Sequence, residues 1–114
     1  MSKLELVFKE KSKRVLNVYC TAGYPSLDST MKVMESLQKN GADIIELGMP
    51  YSDPLADGEV IQVSNIKALA NGMNIVVLFE QIKDMRKSIS IPVILTPKAG
   101  LPFTTIFEVL MLPK

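Results

Sequence analysis

Glu46 to Gln62 reads ELGMPYSDPLADGEVIQ, an apolar strand that ends in a turn-rich acidic loop. The strand reading covers Asp43 to Leu47, and in it Ile44 and Glu46 share one face while Ile45 and Leu47 share the other. A parallel strand covered on both sides has no wet face for a glutamate. Glu46 is therefore expected to be buried or to stand at the strand's carboxyl end, where parallel α/β folds bind ligands. Burial would favour its protonated form and suit it to proton transfer. The competing assignment is a glutamate that caps the next loop or pairs with a lysine. Asp53-Pro54 and Asp57-Gly58 are turn dipeptides, and such aspartates most often bond their own loop backbone. Asp57 follows Glu46 closely enough for the loop to fold back and bring the two carboxylates together. The chain has no histidine, so acid/base chemistry near neutral pH falls to carboxylates.

Working outward, turns and periodicities set an alternating order. A helix is expected over 3–12, with Leu4, Val7 and Phe8 on its apolar stripe. Arg14 to Thr21, RVLNVYCT, reads as a buried strand ended by Ala22-Gly23-Tyr24-Pro25. Ser26 or Asp28 is placed to cap a helix whose core positions are Leu27, Met31, Met34 and Leu37, and Asn40-Gly41 stops it. Helices follow over Gln62–Asn71, closed by Gly72, and over Ile75–Lys87 with Ile75, Leu78, Phe79, Ile82 and Met85 on one face. Ile91 to Leu95 is a third strand, opened by Pro92 where a missing donor does little harm. Strands separated by helices make βαβ units and a parallel sheet. Thr96 to Lys114 is broken by Pro97, Gly100 and Pro102, and its apolar run TTIFEVLML suits a short helix or a strand equally.

The 114 residues suffice for one core, and a net charge of +1 gives no electrostatic reason to expect nucleic acid. The longest uncharged run, Val15 to Leu27, is 13 residues, and Ala68 to Phe79 is 12, against the ~20 that span a bilayer. The charged N-terminus does not read as a secretory signal, and a single cysteine fits a reducing, cytoplasmic setting. Cys20 reads as a small buried apolar residue, and Tyr19, on the first strand, as a core or rim aromatic. There is no metal-ligand cluster and no Gly-rich phosphate loop of standard spacing.

With TAGYP at Thr21 to Pro25 upstream, the segment ELGMPYSDPLADGEVIQ resembles the tryptophan synthase alpha chain family. The likeness continues through NIKALANGMN and LFEQIKDMRKSISIPVIL and covers about residues 4–95. The resemblance implies an α/β fold: a partial (β/α)8 TIM barrel, its first three β/α units preceded by an N-terminal helix. Residues 1–95 form that part, and 96–114 are a divergent tail. It further implies a lyase of tryptophan biosynthesis, classed with the carbon–oxygen lyases, that cleaves indole-3-glycerol phosphate to indole and glyceraldehyde 3-phosphate. Glu46 would be the acid/base that protonates the indole ring carbon, and Asp57 the carboxylate that accepts the indole N–H. Tyr19 would pack against the indole. Asp53 and Pro54 would face the beta-chain partner of a heterotetramer, which holds pyridoxal phosphate; this chain itself would need no cofactor.

After Leu95 the family continues into a segment like MGYxNP, whereas this chain reads TPKAGLPFTTIFEVLMLPK. A barrel of ~250 residues has its phosphate-binding loops late in the chain. The expectation is a truncated or frame-shifted fragment that is inactive alone. The alternative function is a small α/β protein-interaction domain that uses the acidic loop 50–61.

Overall fold

Strand-forming residues are gathered into short apolar runs, and the first two runs are each followed by helix that returns the chain to the same end of the sheet. The computed structural model describes residues 3–11, 13–50, 58–96 and 107–108. In order they form α1 (Lys3–Glu10), β1 (Asn17–Thr21), α2 (Thr30–Lys39), β2 (Ile44–Gly48), α3 (Glu59–Ala70), α4 (Ile75–Ile82), a 3₁₀ turn (Met85–Lys87), β3 (Val93–Thr96) and β4 (Phe107–Glu108). The sheet order is β1-β2-β3-β4. The first three strands are parallel, and β4 runs antiparallel on the outer edge of β3. Only residues 97–106 separate β3 from β4. A parallel crossover needs about a dozen residues or more, so a chain that pairs again so soon must return antiparallel. Of the two readings left open for the tail, strand is the one adopted at Phe107–Glu108.

One face of the sheet carries the core. Cys20, Ile45, Leu47, Val93 and Leu95 pack there against Met34 of α2, Ala68 of α3, and Leu78 and Ile82 of α4. Met85 and Ile89 close the cluster below. Each fully buried side chain of this size contributes roughly 1.5–3 kcal/mol, which makes this layer the main source of stability.

Several boundaries differ from the sequence reading. β1 begins at Asn17, because Arg14 adopts φ 59° and breaks the extended run. Helix α2 begins at Thr30 with Ser29 as its N-cap residue. The expected caps are engaged elsewhere: the Ser26 hydroxyl donates to Asp28 at 3.0 Å and lies 2.7 Å from the Ser29 hydroxyl. Leu27 thus lies in the turn, though it still packs on the core. Helix α3 starts earlier than expected, at Glu59, and α4 ends at Ile82, with Met85 carried by the 3₁₀ turn. Leu78, Ile82 and Met85 are buried as expected, while Ile75 and Phe79 are exposed.

Candidate functional site

The face of the sheet opposite the core cluster is where the strand alternation puts the polar strand residues. Register places Tyr19, Glu46 and Ile94 in one row across β1, β2 and β3. The row towards the strands' N-terminal ends contains Asn17 and Ile44, and the row towards their C-terminal ends contains Thr21, Gly48 and Thr96.

Glu46 is the third of the five residues of β2 and is half-buried. It is therefore neither enclosed nor at the strand terminus, contrary to the expectation. The physical reason is that β2 runs on to Gly48, two residues past Glu46, and that Glu46 faces away from the apolar cluster, so that layer does not seal it. The Asn17 side-chain amide donates to Glu46 Oε1 at 2.5 Å. The phenol of Tyr19 lies over Gly48, close enough that a side chain at position 48 would have to displace the ring. An aromatic ring and a carboxylate thus stand side by side on one face, one layer below the C-terminal edge.

That edge is held by a small polar framework. The Thr21 and Ser64 hydroxyls are 2.8 Å apart and tie the end of β1 to α3, while Ser64 also donates to the Ile61 carbonyl at 2.9 Å. Gly23 N–H donates to Thr30 Oγ1 at 2.9 Å. Asn71 Nδ2 donates to the carbonyls of Gly23 and Pro25 at 3.0 and 2.9 Å. Gly23 has φ +80°, and a Cβ there would lie 2.8 Å from Met73 Cβ, so the TAGYP turn accepts no side chain at that position. These bonds fix the β1–α2 turn beside the row that carries Tyr19 and Glu46.

Of the residues singled out in the sequence, the structure brings Tyr19 and Glu46 together. Asp53, Pro54 and Asp57 lie outside the described residues. Cys20 is on the opposite, core face, where burial pushes its thiol up to about 11. Asn17 and Gly48 were not singled out. The signal for Asn17 was available, since a lone amide within RVLNVYCT is out of character for an apolar strand. Among the described residues no group of three or more His, Cys, Asp or Glu is arranged to hold a metal ion, and no helix is long and apolar enough to cross a membrane.

Comparison with known proteins agrees with this geometry. The family model described as tryptophan synthase alpha chain matches residues 6–105, so the likeness runs ten residues past Leu95. The tryptophan synthase alpha chain of Karelsulcia muelleri strain GWSS is 55% identical over 95 residues, which cover 83% of this chain and 38% of that relative. That of Flavobacterium johnsoniae is 48% identical over 86 residues, covering 75% of this chain and 34% of the relative. Among solved structures, tryptophan synthase subunit alpha from Legionella pneumophila superposes with a TM-score of 0.76 at 37% identity, over 83% of this chain and 38% of that one. A chain of the tryptophan synthase complex from Pyrococcus furiosus gives 0.65 at 42% identity, over 71% of this chain and 33% of its own length. The described fold is accordingly the opening part of a (β/α)8 barrel: an N-terminal helix, two complete β/α units and the third strand. The chain spans a little over a third of the curated relatives it matches, and it belongs to the tryptophan synthase alpha chain family.

Proposed function

We propose that this chain carries the proton-transfer half of an indole-3-glycerol phosphate lyase site, with Glu46 as the acid/base. The observation that supports this most is the row Tyr19–Glu46, which sets a carboxylate beside an aromatic residue on the face of the sheet opposite the core. The reaction needs both features. A proton must be delivered to the ring carbon that bears the glycerol chain. The carbon–carbon bond then breaks with its electron pair returning to the ring, and the hydroxyl of the departing carbon loses its proton to become the aldehyde. One carboxyl group can give the first proton and take the second, and an adjacent ring can stack on the indole. Asp57, in the ADG part of the motif, would accept the indole N–H and offset positive charge on the ring. Asp53 and Pro54 would face a beta chain that supplies pyridoxal phosphate and consumes the indole. A cytoplasmic setting goes with this role.

The isolated chain is proposed to be catalytically silent, because part of a barrel does not enclose and orient a phosphorylated substrate. The test is indole release from indole-3-glycerol phosphate by the chain alone and by the chain mixed with a polypeptide that supplies the remaining β/α units. Turnover is expected only in the mixture, and Glu46→Gln should reduce it by about 10²–10⁴-fold. A mixture in which Glu46→Gln works as well as the parent chain would overturn the assignment, as would brisk turnover by the chain alone.

A further inference from the structure

Asn17 touches Glu46 from the row beneath it. It is paired with Ile44, whereas Tyr19 stands beside Glu46 itself. Its amide must therefore reach diagonally between neighbouring strands, and it does so to donate to Oε1 at 2.5 Å. Asparagine is a poor strand former, so nothing in the local backbone calls for it at the head of β1.

We propose that Asn17 is a positioning residue for the proton transfer: by holding Oε1 of Glu46 it leaves Oε2 as the oxygen that carries the mobile proton. This rests on the reading of Glu46 as the acid/base. An amide N–H can only donate. An oxygen that accepts from it serves well as carboxylate or as carbonyl, and poorly as the hydroxyl of a carboxylic acid. The protonated form with its proton on Oε2 therefore keeps the Asn17 bond, and so does the ionised form. The carboxyl group need not swing between giving and taking. The proton leaves Oε2 for the ring carbon, the carbon–carbon pair returns to the ring, and Oε2 takes back the proton of the leaving carbon's hydroxyl. One proton goes out and one returns, so no co-reactant is required. A carboxyl group pinned at one oxygen also holds its position, and a misplacement of ~1 Å in such a group can cost about 10²-fold in rate.

The contact is read directly by following the side-chain amide resonances of the ¹⁵N-labelled full chain as pH is varied. The Asn17 amide protons are expected to shift as Glu46 titrates, and that response should vanish in Glu46→Gln. In the chain completed by the remaining β/α units, Asn17→Leu should lower kcat at least about tenfold while KM changes less than about twofold. Asn17→Asp, which sets a second carboxylate against Glu46, should in addition displace the limb of the pH–rate profile that reports Glu46. Asn17→Ser, which restores a shorter donor, should recover part of the loss and guards against a leucine that merely perturbs the strand. An Asn17 amide indifferent to pH would overturn the inference, as would Asn17→Leu with unchanged kcat where Glu46→Gln is dead. A responsive amide together with a fully active Glu46→Gln would instead keep the contact and remove the catalytic reading beneath it.

Discussion

The phenol of Tyr19 lies across Gly48: a Cβ placed at position 48 would overlap its Oη and Cζ. The glycine of the ELG motif is thus explained by an aromatic on the neighbouring strand. Gly48→Ala must displace the ring or the strand, and overpacking of this kind typically costs about 1–3 kcal/mol. Urea unfolding should show that loss in the single variant. It should be much smaller when alanine is introduced in a Tyr19→Leu background, because the clash is then gone. Additive losses in the double variant would mean that the close approach is not what reserves position 48 for glycine.

The same pair shows what could be read from the sequence. Alternation put Ile44 and Glu46 on one face of β2, and the motifs carried the family and its fold. Which residue of β1 stands beside Glu46 depends on register between strands, which is set across 29 residues for the Asn17 bond and has no local signature. Local chemistry also misled at α2, where Ser26, Asp28 and Ser29 satisfy one another and delay the helix. Helix α3 was read as starting late because Val60, Val63 and Ile66 are apolar yet exposed, Val60 by 82%, so its pattern lacks a single face.

Gln38, near the end of α2, organises the approach to β3. Its Nε2 donates to the Ser88 carbonyl at 2.9 Å, and its Oε1 accepts from the backbone N–H groups of Ser90 and Ile91 at 2.7 and 3.2 Å. Gln38→Ala leaves these backbone groups to find water, and the loss is expected to be about 1–3 kcal/mol. Gln38→Glu keeps the acceptor but not the donor and should lose less. Equal stability of all three chains in denaturant titration would remove Gln38 from this role.

Cys20 should be a sluggish nucleophile. It packs on the core, and burial disfavours its thiolate, moving the thiol from 9.0 to about 11. At a given pH that leaves about a hundredfold less thiolate. Folding then favours the thiol form below the ordinary value, and the advantage fades as pH climbs from there towards about 11. Reaction with a disulfide reagent at about pH 8 should be at least tenfold slower in the native chain than in guanidinium. Equal rates would show that the thiol is not shielded.

Asp43 gives the fold a response to acid. Its carboxylate accepts from Leu16 N–H at 2.8 Å and from Lys11 Nζ at 2.9 Å, joining the entry of β1 to that of β2 and to the end of α1. Leu16 N–H first, and Lys11 next, hold the carboxyl below the ordinary aspartate value. A carboxyl whose value falls on folding adds stability above its unfolded value near 4, and the contribution drains away as pH drops through the lower folded value. Asp43→Asn keeps an acceptor for Leu16 and removes the charge. At neutral pH the variant should melt at a lower temperature than the parent chain, and the two should converge as pH falls through the lowered folded value. Roughly 1 M salt should narrow the gap only in part, since it screens the half-exposed Lys11 and leaves the backbone bond. A gap that stays constant from neutral to acid pH would show that the charge on Asp43 does not contribute, whatever its distances.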